Sequence, residues 1–210
     1  MSNTLAFTYR FVPGTVAGAV PLLLLHGTGG DENDLIELGR TLAPGSPLLS
    51  PRGRVLENGM PRFFRRLAEG VFDLPDLRFQ ANELSSFVQE ARTRYDLGKT
   101  PPVAVGFSNG ANMAAALLLL HPDTLSGAVL FRPMVPLVPD QLPNLNGAPV
   151  LIAAGLRDPI VLPAQSQALA DLLRSAGAEV SLHWTNGGHA LLQDDVDAAE
   201  RWLSVLSSTS

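Results

Sequence analysis

The segment AVGFSNGANM, residues 104–113, places a serine between two glycines at the point where an aliphatic stretch gives way to a helical pattern. Ser108 follows a predicted buried strand, and Gly106 and Gly110 stand two positions to either side of it. A strand that turns directly into a helix needs residues without side chains where the backbones approach closely. Such a corner holds the hydroxyl out beyond the strand, at the positive N-terminus of the next helix. Ser108 is therefore a candidate nucleophile.

The spacing of these glycines and the serine is by itself only moderately specific. Because the chain has 19 glycines, a G-x-S-x-G match arises by chance in roughly one such chain in ten. A turn serine flanked by turn glycines is the alternative interpretation. A serine hydroxyl also needs a base to take its proton and an acid to orient that base, so both must come from elsewhere in the chain.

Four histidines compete for the role of base. His189 lies in TNGGHALL, a loop between the last predicted strand and the last helix, from which an imidazole can reach over the strand ends. His26 opens HGTGG after a buried strand and is expected to bond the loop backbone, with the role of base as its alternative. His183 falls inside a strand, and His121 ends a helix, where we expect a cationic cap. We predict His189 as the base.

The candidate acid is Asp158, in GLRDPIV directly after another buried strand. A surface turn aspartate is the alternative interpretation. Asp140, Asp194 and Asp195 are rivals, although the last two are expected as favourable charges in the first turn of the closing helix. Serine, aspartate and histidine then follow the chain order of the α/β-hydrolase triad, each in a loop of its own. This agreement favours Ser108 as a nucleophile over a turn serine.

Two backbone amides are candidates for holding the negative charge that develops on a carbonyl oxygen under attack. Asn109, the residue after the nucleophile, supplies one. The loop HGTGGDEND after the first long buried strand supplies the other, from Thr28 or alternatively from Gly29. Glycines in that loop could also cradle a phosphate, but neither a G-x-G-x-x-G pattern nor a Walker lysine is present. We predict the amides of Thr28 and Asn109 as the oxyanion donors.

Short apolar stretches alternate with longer helical patterns, which predicts an α/β protein with a mostly parallel sheet and helices on both faces. With no repeat and no internal linker, residues 1–210 are predicted to form one domain, with a frayed tail at 206–210. Only residues 132–148 separate the predicted strands SGAVLF and APVLIAA. This stretch is too short for a helical cap domain and contains several prolines. We therefore expect an open, shallow site that suits small or short-chain acyl groups.

Composition excludes several classes of function. The net charge of −5 and the pI near 5.3, without a basic stripe, leave nucleic-acid binding without an electrostatic footprint. The absence of cysteine excludes disulfides, thiolate catalysis and cysteine-bound metals. The apolar stretches are shorter than the ~20 residues that span a bilayer, and the first residues lack the pattern of a secretory signal. We expect a cytoplasmic protein with no membrane span, no bound metal and no cofactor.

Residues 54–75 interrupt the alternation of strands and helices. The segment carries two adjacent phenylalanines amid three arginines, namely Phe63, Phe64, Arg62, Arg65 and Arg66. We predict an excursion over the edge of the sheet that forms one wall of a pocket, with Phe63, Phe64 and Arg62 as candidate substrate-binding residues. The alternative is a basic amphipathic turn that packs its aromatic rings onto the core. An arginine that reaches the pocket would favour acidic acyl groups, and an exposed phenylalanine would suit a homodimer contact.

Five segments together resemble the phospholipase/carboxylesterase family of serine α/β-hydrolases, which includes acyl-protein thioesterases and small bacterial carboxylesterases. They are LLLLHGTGGDENDL, SPRGRVLENGMPRFFRRLAEGVFD, AVGFSNGANMA, FRPMVP and GLRDPIV with GGH. The resemblance covers about residues 15–205. It implies the α/β-hydrolase fold, no cofactor, and hydrolysis of carboxylic ester or thioester bonds. It also implies a triad at the serine, aspartate and histidine already singled out, and oxyanion donors at the same two amides.

The segment ENGMPRFFRR is most similar to bacterial members described as hydroquinone- or dioxygenase-associated hydrolases. It departs from the acyl-protein thioesterases, which argues against protein deacylation. We expect a serine carboxylesterase that hydrolyses small or short-chain esters through an acyl-enzyme on Ser108. A thioesterase or a lysophospholipase-type acyl hydrolase is the alternative, and lactonase and amidase activities use the same triad. A non-catalytic ligand-binding protein on a hydrolase scaffold is a more remote alternative.

Overall fold

A computed structural model describes residues 5–208 of the chain. Its strands are, in chain order, β1 (Tyr9–Val12), β2 (Leu22–Leu25), β3 (Leu48–Pro51), β4 (Val55–Glu57), β5 (Met60–Arg62), β6 (Arg66–Ala68), β7 (Val71–Phe72), β8 (Val103–Phe107), β9 (Gly127–Phe131), β10 (Pro149–Gly155) and β11 (Glu179–Thr185). Its α-helices are α1 (Ile36–Leu42), α2 (Leu74–Arg94), α3 (Asn109–Leu120), α4 (Pro163–Ser175) and α5 (Gln193–Ser208). A short 3-10 helix, Pro122–Thr124, follows α3.

Seven of these strands form one sheet in the order β1-β3-β2-β8-β9-β10-β11. Strand β1 runs antiparallel to β3, and every other pair in this sheet is parallel. Parallel strands end at the same edge of a sheet, so the loops that follow β2, β8 and β10 all lie at one edge. The prediction of a mostly parallel α/β fold is confirmed.

Helices cover both faces of the sheet, because each face is apolar. In β2, Leu23 and Leu25 belong to one buried cluster and Leu22 and Leu24 to the other, so this strand is buried on both sides. Helices α2, α3 and α4 pack on the first face, and α1 and α5 pack on the second. An unbroken leucine run is what a strand buried on both faces requires.

The segment between β3 and α2 folds into two β-hairpins, β4 with β5 and β6 with β7. Glu57 pairs with Met60, so Asn58 and Gly59 alone form the first turn, with positive φ angles of 51° and 81°. An Asn-Gly pair suits such a two-residue turn because both residues tolerate the left-handed conformation. These hairpins form the predicted excursion from the sheet.

No helix or strand occurs within residues 132–148, between β9 and β10. The stretch is held against the body of the protein, since the backbone N–H of Met134 donates to Asn112 Oδ1 at 2.9 Å and the Ser166 hydroxyl donates to the Pro133 carbonyl at 2.9 Å. Within residues 5–208, the stretch between β9 and β10 therefore carries no cap domain, as predicted.

Helix α5 continues to Ser208, so residues 206–208 are helical and not part of a frayed tail. Residues 209 and 210, the rest of the predicted tail, lie outside the described residues. Within residues 5–208, none of the helices combines the length and the apolar character needed to cross a lipid bilayer. The assignment of residues 1–210 to one domain stays a prediction.

Candidate active site

Ser108 occupies the corner between β8 and α3 in a strained backbone conformation. Its φ of 52° and ψ of −113° lie outside the regions that residues with a Cβ atom ordinarily adopt. A conformation of this kind costs about 1–3 kcal/mol and persists only where the surroundings enforce it. Here the Ser108 N–H donates to the Phe131 carbonyl of β9 at 2.9 Å, and the Ser108 carbonyl accepts from Asn112 N–H at 3.0 Å.

The two flanking glycines are required because backbone atoms occupy the space that a side chain would take. A Cβ atom at Gly106 would lie 2.7 Å from the Ala111 backbone, in the first turn of α3. A Cβ atom at Gly110 would collide with the carbonyl oxygen of Leu25 in β2. The G-x-S-x-G spacing therefore lets α3 start directly on the ends of two neighbouring strands, as the sequence pattern predicts.

Three loops bring Ser108, His189 and Asp158 into one hydrogen-bonded chain. His189 Nε2 lies 2.9 Å from Ser108 Oγ, and His189 Nδ1 lies 2.7 Å from Asp158 Oδ2. Because a carboxylate only accepts hydrogen bonds, Nδ1 carries the proton that points to Asp158, and Nε2 is left to accept from the serine hydroxyl. The structure thus brings together the three residues that the sequence singled out, while their roles in catalysis stay predictions.

Asp158 is held in place by the loop that it begins. Its side chain is buried, and its Oδ1 accepts hydrogen bonds from the backbone N–H groups of Ile160 at 2.8 Å and Val161 at 3.0 Å. One carboxylate oxygen therefore closes the turn, and the other faces His189. This arrangement fixes the direction in which the carboxylate orients the imidazole.

The three rival aspartates of the sequence have other positions. Asp140 is exposed. Asp194 lies in the first turn of α5, as predicted, and its Oδ2 is 3.2 Å from His183 Nε2. Asp195 also begins α5, but it is completely buried in an ion pair with Arg132. The predicted first-turn position of Asp195 is confirmed, and its carboxylate in addition neutralises a buried guanidinium.

The other histidines have structural surroundings. His26 is buried, its Nε2 accepts from Gly53 N–H at 2.9 Å, and its Nδ1 donates to the Gly27 carbonyl at 2.6 Å. Burial lowers the pKa of His26, so the neutral ring that these two bonds require is favoured. His121 caps the C-terminal end of α3, as predicted. Burial also lowers its pKa, which disfavours the expected cationic form of the cap.

The candidate oxyanion donors lie beside the serine. Among the backbone hydrogen bonds of residues 5–208 outside regular helices and strands, none uses the N–H of Thr28 or of Asn109. The N–H of Gly29 donates to the Pro61 carbonyl at 2.9 Å, which removes the alternative donor. The first turn of α3 contains no acidic residue, so its positive end is not neutralised locally. These features suit Thr28 and Asn109 to hold a developing negative charge.

A cavity of about 290 Å³ opens in front of the serine. This is at the small end of the ~300–1,000 Å³ usual for small-molecule sites. Residues from six parts of the chain line it, namely Thr28, Arg62, Arg66, Glu69, Gly70, Phe72, Phe107, Ser108, Asn109, Asn112, Met134, Ile160, Val161 and His189. Asn112 was not singled out in the sequence, although it stands one helical turn after Ser108 and therefore shares its face of α3.

Two of the three arginines of the hairpin segment reach this cavity. Arg62 is buried. Its Nη1 atom donates to Thr28 Oγ1 at 2.8 Å and lies 3.1 Å from Glu57 Oε2. Burial lowers the pKa of the Arg62 guanidinium, an effect that the Glu57 carboxylate opposes. Arg66 donates from Nε to the other Glu57 oxygen at 2.8 Å. Arg65 instead points outward to Asp73.

Phe63 and Phe64 lie in the core and not in the cavity wall, so their predicted role in substrate binding is wrong. Both are almost completely buried. The Phe63 ring lies 4.7 Å from the His26 ring, and the Phe64 ring meets the Phe72 ring edge-on at 5.0 Å. Both structures weighed from the sequence of the hairpin segment therefore occur in part: Phe63 and Phe64 pack onto the core, while Arg62 and Arg66 line the cavity. The phenylalanines offer no exposed surface for a homodimer contact.

Within residues 5–208, no three or more His, Asp and Glu side chains converge in a way that could hold a metal ion. What the site contains is a hydroxyl bonded to an oriented imidazole, with backbone amides and a small cavity beside them. In this combination the Ser108 hydroxyl can attack an acyl carbon.

A mostly parallel sheet with helices on both faces, and a serine, a histidine and an aspartate on the loops at its carboxyl edge, define the class of the α/β-hydrolases. Residues 80–206 match the model of the dienelactone hydrolase family. The chain belongs to the dienelactone hydrolase family.

The chain is also similar to several individual proteins. It is 50% identical to the protein named "Putative hydrolase MhqD" of Bacillus subtilis (strain 168), over 86% of this chain and 90% of that one. The Bacillus cereus carboxylesterase is 47% identical, with a TM-score of 0.94 over 98% of this chain and 99% of that one. A structure of YahD with malic acid is 32% identical, with a TM-score of 0.89 over 95% and 98% of the two chains. The family and these neighbours identify a hydrolase that acts on esters.

Proposed function

We propose that this protein is a serine carboxylesterase that cleaves small carboxylic esters through an acyl-enzyme on Ser108. The observation that carries the proposal is the chain of hydrogen bonds from Asp158 through His189 to the Ser108 hydroxyl. In this mechanism the hydroxyl oxygen attacks the acyl carbon while His189 Nε2 takes its proton. His189 then gives the proton to the departing alcohol, and a water molecule later repeats the sequence to release the acid.

The amides of Thr28 and Asn109 hold the oxyanion in this mechanism. Each donor of this kind typically contributes ~3 kcal/mol to the stabilisation of the transition state. Arg62 supports the first of them, because its bond to Thr28 Oγ1 holds the loop at the mouth of the cavity. The strained corner at Ser108 directs its hydroxyl to the same place, so nucleophile and oxyanion donors share one face of the cavity.

We further propose that the cavity favours acyl groups that carry a second acceptor, in particular a carboxylate. Arg62 and Arg66 share the single carboxylate of Glu57, which leaves one positive charge beside the cavity. Within residues 5–208, Asn109 Nδ2 is buried without a hydrogen-bond partner. Glu69 also lines the cavity, but it is exposed at the rim, where water screens its charge. The structure of YahD with malic acid, a dicarboxylic acid, supports this preference.

A fluorophosphonate probe tests the proposed nucleophile. We expect the probe to phosphonylate Ser108 with loss of fluoride, because only an activated serine attacks phosphorus at a useful rate. Mass spectrometry of proteolytic peptides locates the adduct, and the Ser108→Ala variant serves as the control that must stay unlabelled. An intact wild-type protein that reacts at another residue, or does not react at all, contradicts the proposal.

The substitution Arg66→Gln tests the preference for acidic acyl groups. We expect kcat/KM for p-nitrophenyl hydrogen succinate to fall about tenfold, which corresponds to about 1.4 kcal/mol. This is the low end of a hydrogen bond to a charged group, since Arg66 is partly exposed to solvent. The neutral methyl succinyl ester should change less than about threefold. The matched control is Arg65→Gln, whose side chain points away from the cavity, and equal losses for both variants would contradict the preference.

A further inference from the structure

We infer that Arg132 is a positioning residue that holds His189 in reach of Ser108. Arg132 lies directly after β9, has a left-handed φ of 55°, and is completely buried. It belongs to the segment FRPMVP, whose function the sequence alone left unassigned. The inference rests on the proposed function, because it gives Arg132 a task in presenting the proposed base.

The guanidinium of Arg132 binds the backbone on both sides of His189. Its Nε donates to the Gly188 carbonyl at 2.9 Å, and its Nη2 donates to the Ala190 carbonyl at 3.0 Å. The residue between these two carbonyls is His189, so the fork of one planar group limits how that residue can shift or rotate. Lysine could not reproduce this, since its ammonium is a single point and not a rigid fork.

The remaining donors of the guanidinium anchor it to the sheet and to α5. Nη1 donates to the Ala153 carbonyl of β10 at 3.1 Å and to Asp195 Oδ1 at 2.9 Å. Nη2 also bonds Asp195 Oδ2 and contacts Thr185 Oγ1 at 3.3 Å. Every N–H of the guanidinium therefore has an acceptor, which is what a fully buried cation requires.

Asp195 closes the other end of the histidine loop. Its Oδ2 accepts from the N–H of Leu192 at 2.8 Å, so the same carboxylate binds both the guanidinium and the backbone that leads from His189 into α5. One buried ion pair thus holds the loop at three backbone positions: Gly188 before His189, Ala190 after it, and Leu192 further along the chain. Two of the acceptors that the buried guanidinium requires are thus the carbonyls that flank His189.

The position of Arg132 in the chain also links the histidine loop to the serine corner. The carbonyl of Phe131, the preceding residue, accepts the hydrogen bond from the Ser108 N–H at 2.9 Å. The N–H of Arg132 itself donates to the Ala153 carbonyl at 2.8 Å. Two consecutive residues at the end of β9 therefore hold the serine through the backbone and the histidine through a side chain. Because both Ser108 and His189 are held at the end of β9, their positions relative to each other are fixed by the same part of the sheet.

The test is Arg132→Lys, with kcat and KM measured separately on p-nitrophenyl acetate. Lysine keeps the charge opposite Asp195 but cannot hold both flanking carbonyls, so we expect kcat to fall about 100-fold, as for a misplacement of ~1 Å, with KM within about threefold. The rate of fluorophosphonate labelling should fall by a similar factor. The control is Arg54→Lys, at a partly buried arginine that has carboxylate and amide partners, lies outside the cavity lining and should keep its kcat.

A folded Arg132→Lys variant with wild-type kcat would overturn the inference, as would an equal loss in Arg54→Lys. Thermal unfolding monitors the fold, and assays are made well below the transition. Should the lysine variant not fold, Asp195→Asn takes its place, since asparagine still accepts from Leu192 N–H while it weakens the hold on the guanidinium. A folded Asp195→Asn variant with lower kcat and unchanged KM supports the inference, and wild-type kcat overturns it. Wild-type activity that persists in the Ser108→Ala variant would instead refute the proposed function.

Discussion

Ser108→Ala is expected to lower kcat for p-nitrophenyl acetate by about 10⁶-fold. Alanine removes the hydroxyl oxygen that forms the acyl-enzyme in the proposed mechanism and that is hydrogen-bonded to His189 Nε2. Because alanine keeps the Cβ atom, the strain of the left-handed corner stays the same, and the midpoint of thermal unfolding should change little. Steady-state kinetics and circular dichroism measure the two effects.

The control for this variant is Ser86→Ala, which removes an exposed hydroxyl on α2. It should leave both kcat and stability unchanged. If the folded Ser108→Ala variant retains more than about 1% of wild-type activity, Ser108 is not the nucleophile of an acyl-enzyme mechanism, because such a residue is not partly dispensable.

Asp158→Asn is expected to lower kcat by about 10⁴-fold while the loop keeps its conformation. The amide oxygen of asparagine can still accept from the Ile160 and Val161 N–H groups. Its amide nitrogen, however, would donate to His189 Nδ1, so the ring proton would move to Nε2 and point at the serine. An imidazole in that tautomer cannot take the proton of the hydroxyl. Steady-state kinetics with a neutral ester measure the loss.

Asp140→Asn is the matched control, because this exposed carboxylate was a rival in the sequence and lies outside the cavity lining. It should retain activity within about twofold of wild type. A large loss in the control together with a small loss in Asp158→Asn would show that Asp158 is not the acid that orients His189. A crystal structure of Asp158→Asn would also reveal whether the hydrogen bond to His189 persists.

The central part of the fold could be predicted from sequence because it depends on local patterns. The leucines of β2 do not alternate with polar residues, and only a strand buried on both faces tolerates this. Gly106 and Gly110 have to be glycines because backbone atoms fill the space beside them, and that requirement is visible as a spacing. The meeting of Ser108, Asp158 and His189 follows from the rule that parallel strands end at one edge.

The surroundings of the site could not be predicted, because they depend on partners far apart in the chain. Arg132 and Asp195 form a buried pair across 63 positions of sequence, and each looks like a surface residue when its neighbours in sequence alone are considered. A signal was present, since an arginine directly after a buried apolar strand must find acceptors nearby. The position of Arg132 thus indicates a buried partner but does not identify it as Asp195.

Phe63 and Phe64 illustrate the opposite difficulty. Aromatic residues between arginines suggest an exposed surface, but the hairpins turn the two kinds of side chain in different directions. The arginines of the adjoining strands face the cavity and Glu57, while the phenylalanines of the link between the hairpins insert into the core. Neither helical nor strand periodicity applies to a three-residue link, 63–65, so no pattern in the sequence decides which way its side chains point.

The turn that follows Asp158 forms part of the cavity wall and also holds the carboxylate that faces His189. Ile160 and Val161 present side chains to the cavity and, through their amides, hold the carboxylate that orients His189. In the proposed mechanism, any variant that enlarges the cavity on this wall risks loosening Asp158, so gains in substrate range there would come with slower turnover. Met134, in the stretch between β9 and β10, lines the same cavity and is not among the residues that hydrogen-bond that carboxylate. Laboratory evolution toward bulkier esters should therefore collect its first tolerated changes at Met134.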